Sequence, residues 1–284
     1  MSFMNRTLLL VIRSLSLPKG SSLVSRLLIG DNSTRVLKHQ VSFISPLVLL
    51  LTSLVFAEAP RVVPTIVDSV SHETSHFTQG LFFDGSDLIE STGQYGGSGL
   101  YRRTLEGKIL DSARLVERYF GEGSVAVGED IFYLTWKSKK AFIYNRKPFK
   151  AKGEFRIPTE GWGLTYWHDA LLMSNGSDEL LKIALGAFDV IGTIHVTDGG
   201  KPVPMLNELE VVGNTLYANI WQTALIAVIE LPSGKVVKYL DFTAKAKEVK
   251  KRYPSADVLN GIAYDGKNLW VTGKNWPQIY KISF

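Results

Sequence analysis

One pattern recurs five times along this chain and constrains its fold more than anything in its composition. Gly80, Gly123, Gly163, Glu208 and Gly261 can each be set as the reference position of a common unit, at spacings of 43, 40, 45 and 53 residues. Five positions later come Gly85, Gly128, His168, Gly213 and Gly266, and eight positions later Leu88, Ile131, Leu171, Leu216 and Leu269. Each unit thus reads as a strand, a tight turn that usually contains glycine, and a second strand. Between these landmarks, short runs of Val, Ile, Leu, Phe, Tyr and Trp are broken by Gly, Asp and Asn, which is the grammar of strands and turns. A helical period shows only around Phe242 to Arg252, a short charged helix or loop.

Units of about 40 to 50 residues with four short strands each have the period of a β-propeller, whereas solenoid repeats of that length are helical. The expectation is an all-β, five-bladed β-propeller over residues 58–284, a single domain. The last unit has room for only about three strands before Phe284, and Arg61 to Val70 is a β-rich segment without a unit of its own. An N-terminal strand completing the last blade would close the ring and cover an otherwise open edge. The alternative is two stacked sandwiches of unrelated strands, against which the shared register speaks.

Composition matters mainly for what it excludes. There is no Cys, so disulfide scaffolds, Cys-ligated metal sites and thiol nucleophiles are ruled out. The formal charge of +5 resides in residues 1–57, where six basic side chains face the single acid Asp31; the rest of the chain has 26 of each sign. Nothing beyond residue 57 therefore asks for nucleic acid. Val41 to Ala57 is uncharged and apolar, is preceded by Arg35, Lys38 and His39, and ends in small residues before Glu58. This reads as a secretory signal cut at Ala57 or Ala59, behind a start assigned too far upstream. The expectation is an exported protein, periplasmic or extracellular, without stable membrane association once the signal is removed, and monomeric.

In a propeller the innermost strand of every blade starts beside the axis, so equivalent positions converge on one face. Just before the reference residue stand Gln79, Glu122, Trp162, Asn207 and Asn260, none of them aliphatic. Thirteen positions after it stand Gly93, Trp136, Gly176, Trp221 and Lys274. With Phe77 and Phe120 added, the mouth of the axis becomes an aromatic-walled pocket holding a carboxylate, an ammonium and amides. That is the composition of a small-molecule site. Upstream, His72-Glu73-Thr74-Ser75-His76 fits the H-E-x-x-H zinc pattern, but that pattern works on a helix, where positions i and i+4 share a face. Here it abuts a strand, and no third ligand is evident downstream, so no catalytic metal is expected.

Several ordered segments then carry a resemblance: Phe77-Thr78-Gln79-Gly80-Leu81, Glu90-Ser91-Thr92-Gly93, Tyr119-Phe120-Gly121-Glu122-Gly123, Leu134-Thr135-Trp136-Lys137, Glu160-Gly161-Trp162-Gly163, Leu206-Asn207-Glu208-Leu209-Glu210, Ala218-Asn219-Ile220-Trp221, Leu259-Asn260-Gly261 and Val271-Thr272-Gly273-Lys274. Through them residues 61–284 resemble the glutamine cyclotransferases of the plant and bacterial type, the propeller glutaminyl cyclases. The resemblance implies cyclisation of an N-terminal glutaminyl residue of peptides or proteins to pyroglutamate, with release of ammonia. It implies a site of Phe77, Gln79, Phe120, Glu122, Trp136, Trp162, Asn207, Trp221 and Lys274, working without a catalytic metal, redox cofactor or nucleotide; a structural cation is left open. Ala224 and Asn175 stand where the family commonly has Asp, and the loop Gln94–Gly99 differs from the common form, which bears on rim contacts and substrate preference.

For that reaction Glu122 is the expected acid/base, Lys274, Asn207 and Gln79 are candidate donors to an oxyanion, and the aromatic residues would sandwich the substrate. Asn260 joins the polar ring as a substrate contact, and Glu90 is a reserve acid/base. Two rivals remain: a non-catalytic exported propeller binding through the same mouth, and a lactonase-like hydrolase, which would need several carboxylates converging on a metal.

Overall fold

The computed structural model describes residues 57–284. The basic and apolar parts of the expected leader lie outside them. Among the described residues no helix is long and apolar enough to cross a membrane.

After β1 (Arg61–Val62) and β2 (Thr65–Ser71), the chain makes a first sheet of β3 (Thr78–Asp84), β4 (Asp87–Thr92), β5 (Gly99–Arg103) and β6 (Ile109–Arg114). A second follows from β7 (Gly121–Val127), β8 (Asp130–Thr135), β9 (Lys140–Asn145) and β10 (Ala151–Arg156), and a third from β11 (Leu164–Trp167), β12 (Ala170–Met173), β13 (Glu179–Ala184) and β14 (Val190–His195). Next come the hairpin β15 (Thr197–Asp198) and β16 (Lys201–Pro202), then β17 (Leu206–Val212), β18 (Thr215–Ile220), β19 (Leu225–Glu230) and β20 (Lys235–Asp241). Helix α1 (Thr243–Arg252) precedes β21 (Leu259–Tyr264), β22 (Leu269–Gly273) and β23 (Gln278–Ser283). Strand β2 returns to pair antiparallel with β23, so the two ends of the described chain share one sheet.

The expectation of a five-bladed propeller is corrected by the strand count. Four sheets are regular four-stranded blades, and the remaining one is not a fifth copy but a seven-stranded sheet. Its outermost repeat strand, β20, would present a long free edge. The connection after β14 folds back as the β15–β16 hairpin and pairs Thr197 with Lys235, while β1 pairs Arg61 with Tyr239 and Val62 with Leu240, both in parallel. Covering an edge in this way removes a template for unwanted pairing. The repeat spacings gave no sign of it, because the covering residues precede their own unit or lie at the far end of the sequence.

The repeat landmarks have physical causes. The turn position takes a left-handed backbone at Gly85, Gly128, His168, Gly213 and Gly266, with φ of 64°, 58°, 53°, 62° and 90°. The reference position is glycine in four of the five units because inner strands nearly touch there: a Cβ on Gly123 would lie 2.7 Å from the Leu164 nitrogen, and one on Gly163 2.0 Å from the Asn207 carbonyl oxygen. Apolar clusters fill the seams between neighbouring sheets, as where Leu134, Leu171 and Met173 pack together. The inner strands β3, β7, β11, β17 and β21 contact one another in a closed cycle around the axis.

One irregularity places the site. In β3, β7, β17 and β21 the pairing with the next strand slips near the start, between Thr78 and Gly80, Gly121 and Ser124, Leu206 and Leu209, and Leu259 and Ile262. The slipped residues include Gln79, Glu122, Asn207 and Asn260. A bulge re-aims a side chain that regular pleating would send to a seam. The neighbouring sheet holds the freed backbone in place: the Ser91 hydroxyl donates to the Glu122 carbonyl at 2.8 Å, the Ser174 hydroxyl to the Asn207 carbonyl at 2.6 Å, and the Gly261 N–H donates to Asn219 Oδ1 at 3.0 Å.

Candidate active site

At one end of the axis lies a cavity of about 360 Å³. Glu122, Lys274, Gln79 and Asn207 line it, and so do Phe77, Phe120, Trp136, Trp162 and Trp221. The four polar residues are at most 5% exposed, so their tips sit at the floor, while the aromatic residues are half-buried and form the walls. Phe120 packs at 5.5 Å from Trp136 and edge-on to Phe77 at 6.1 Å; opposite, Trp162 and Trp221 meet edge-to-face at 5.2 Å. The glycines at the alternating Trp positions make room for these rings. A Cβ on Gly93 would sit 2.5 Å from the Phe120 ring, and one on Gly176 2.6 Å from Trp162.

Glu122 is set apart by its lack of partners. Its carboxyl receives no hydrogen bond from the described residues, and burial pushes it well above the usual carboxylate range, with the Lys274 charge pulling back and Glu160 adding to the push. The Lys274 ammonium is likewise without a hydrogen-bond partner there; burial lowers its pKa, against the charges of Glu122 and Asp257. Its Nζ lies 4.7 Å from the centre of the Phe77 ring. The pair is near enough to interact but is not a closed salt bridge, so both groups keep a free face toward the cavity.

Two further polar atoms of the lining are buried and unpaired, the Trp162 Nε1–H donor and the Asn207 Oδ1 acceptor. Such atoms cost free energy unless something completes them. Gln79 is oriented from behind, since its Oε1 accepts from Asn260 Nδ2 at 3.3 Å, leaving its amide N–H groups as the end free to donate. Asn260 therefore does not line the cavity; it is fully buried and also donates to the Thr78 carbonyl at 2.9 Å. Glu90 is also outside the cavity, buried among His72, His76 and Thr78.

The sequence reading missed Gln94, Gln222, Asp257 and Val258, which complete the lining. A signal existed for two of them. Gln94 and Gln222 both stand fourteen positions after a reference residue, and both adopt positive φ, 91° and 62°. Asn175 and Ala224 do not line the cavity; Asn175 caps its own loop by accepting from Ser177 N and Oγ at 3.1 and 2.6 Å.

A propeller with an aromatic-walled axial cavity, an unpaired carboxyl at its floor and fixed donors around it defines a class: an enzyme that moves protons on a small, flat polar group. The chain belongs to the glutamine cyclotransferase family, whose model matches residues 44–284. It is 35% identical over 223 residues to a glutaminyl-peptide cyclotransferase of Arabidopsis thaliana, covering 76% of this chain and 70% of that protein. Its fold matches the crystal structure of Myxococcus xanthus glutaminyl cyclase with a TM-score of 0.74 and 34% identity, over 80% of this chain and 98% of that one.

Proposed function

We propose that the axial cavity is where this chain, a glutaminyl-peptide cyclotransferase, closes an N-terminal glutamine on itself. The α-amine attacks the carbonyl carbon of the side-chain amide; a C–N bond forms in the five-membered ring, the original C–N bond breaks, and ammonia leaves. The amine loses one proton and the departing nitrogen gains one. Because the attack is intramolecular, holding the chain folded supplies much of the acceleration with no covalent enzyme intermediate.

Glu122 carries the proton between the two nitrogens. Its raised pKa suits that task near neutrality, where an α-amine of pKa about 7.7 to 8.0 is still mostly protonated. Lys274, the Trp162 indole N–H and the Gln79 amide are the donors facing the developing oxyanion, in surroundings where such bonds are strong. Asn207 Oδ1, an acceptor, holds an N–H of the amine or of the leaving amide. The aromatic walls grip the flat amide and keep water out, favouring cyclisation over hydrolysis. The substrates are peptides or proteins with N-terminal Gln that reach the cavity mouth outside the cytoplasm, and the chemistry asks for no catalytic metal.

The observation that carries this reading is the buried, partnerless carboxyl of Glu122 beside an equally unpaired ammonium. Mass spectrometry of a synthetic Gln-peptide incubated with the protein tests it. Loss of one ammonia faster than the spontaneous rate, abolished in Glu122→Gln, supports it; equal rates with both proteins would transfer the proton to another group.

A further inference from the structure

Away from the axis, the H-E-x-x-H segment does something its sequence context argued against. His72 directly follows β2, His76 closes the turn before β3, and Glu90 lies on β4; all three are buried. His72 Nε2 is 3.0 Å from Glu90 Oε1 and His76 Nδ1 is 2.8 Å from Glu90 Oε2, and the three ligand atoms lie within 4.8 Å of one another. Without a helix, the turn between β2 and β3 brings both imidazoles to one carboxylate.

Each group is held from behind. His72 Nδ1 donates to the Trp276 backbone carbonyl at 2.7 Å, which can only accept, so the Nδ1 proton is fixed and Nε2 is turned toward Glu90. Thr78 Oγ1 donates to Glu90 Oε1 at 2.7 Å, and His76 rests on the Tyr101 ring at 4.3 Å. A backbone carbonyl on the far nitrogen of a histidine and a hydroxyl on a carboxylate are the outer contacts that orient metal ligands. Two imidazole nitrogens and one carboxylate oxygen form a zinc-type set, and His72 and His76 also line a cavity with Tyr101 and Arg103 from which a water could supply a fourth ligand. Arg103 is the one opposing charge, and its guanidinium is already engaged by the Ser71, Thr104 and Leu105 carbonyls. Protons on the two imidazoles can bridge to Glu90; a single divalent ion can replace them, releasing proton to solvent.

We propose that His72, His76 and Glu90 bind a zinc-class divalent ion that staples the ring-closing strand β2 to the first blade. A tetrahedral zinc with ligands at about 2.0–2.1 Å separates them by about 3.3 Å; the two histidine–Glu90 contacts, at 3.0 and 2.8 Å, would open by a few tenths of an ångström, and no pair of ligand atoms starts more than 4.8 Å apart. The role is structural. Glu73, the residue a metalloprotease would use as base, is exposed and faces its own turn, accepting from Ser75 Oγ at 3.2 Å.

The test is zinc titration of the chelator-stripped full chain, followed by calorimetry and by thermal unfolding. One saturable site is expected, with a Tm gain of roughly 5–10 °C at zinc a hundredfold above Kd. His76→Ala should still fold, bind zinc roughly 100-fold or more weakly, and lose the Tm gain. His195, exposed at 3.8 Å from both Asp178 and Glu179, is the competing surface site, and His195→Ala should leave binding unchanged. Absence of saturable binding, equal affinity in His76→Ala, or loss of the site in His195→Ala would each overturn the proposal. Cobalt in place of zinc gives a second readout, since a tetrahedral site colours the wild type and not His76→Ala.

Discussion

Glu90 and Glu122 are buried glutamates on neighbouring blades, one on β4 and one on β7, and they live in opposite circumstances. Both oxygens of Glu90 are taken, by His72, His76 and Thr78, and although burial alone would raise it, the two histidines hold it well below the usual carboxylate range. Glu122 has no such company and is pushed the other way. The same side chain is a structural tie when its lone pairs are filled and a reagent when they are left open. Composition cannot separate the two uses; only the partners can.

The sharpest way to break this contrast is to remove each charge while keeping its shape. Glu122→Gln should cut turnover by roughly 10²–10⁴ with an unchanged or higher Tm, since a strained acid is replaced by a neutral isostere. Glu90→Gln should do the reverse, costing about 3–5 kcal/mol in denaturant unfolding because two imidazoles lose their common partner, while the folded fraction keeps its kcat. If Glu90→Gln abolished kcat in folded protein, the contrast would fail.

A milder test uses a second pair. On β17, Glu208 accepts from the Ile262 N–H at 2.8 Å and Glu210 from the Tyr264 N–H at 2.9 Å. Burial pushes Glu208 well up, with the Glu210 charge adding to it, and pushes Glu210, which keeps some exposure, up to about 8. A carboxyl raised on folding stabilises fully below its unfolded value near 4.3, and that stability is lost as pH rises through the folded value. Stability should therefore fall by roughly 3–4 kcal/mol between pH 5 and pH 8 from Glu210 alone, with Glu208 adding in the same direction. Glu210→Gln, which keeps an acceptor for Tyr264, should flatten the slope and be the more stable protein at pH 8.

The smallest effect is expected at Asn260. If it acts by turning Gln79, Asn260→Ala should lower kcat about tenfold, and adding it to Gln79→Ala should cost little more. Full additivity in that double-mutant cycle would mean that Asn260 serves the fold alone.

These contrasts also mark where the sequence was legible. The polar ring could be read because its members fall on two phases of the repeat, one before the reference residue and one thirteen after it, and the turns because left-handed backbone recruits glycine, with His168 the exception. Gln94 and Gln222 lay one step from a phase already in use. What stayed hidden depends on encounters between distant segments: β1 with β20, Asn260 with Gln79, and His72 with Glu90 across 18 residues. The bulges were hidden too, since a slipped residue looks like any other in a strand that short.

The bulges carry one more consequence. On β7, β17 and β21 the backbone is tied to the neighbouring sheet through Ser91, Ser174 and Asn219, and not through the side chains of Glu122 and Asn207 that point at the axis. At Glu122 and Asn207 the side chain at the tip is therefore mechanically idle, like a tool in a socket whose shape does not depend on what it holds. Glutamate and asparagine already occupy such sockets here. A scaffold of this kind can be retooled for a different flat amide by exchanging tips one at a time, with the ring unaware of the change.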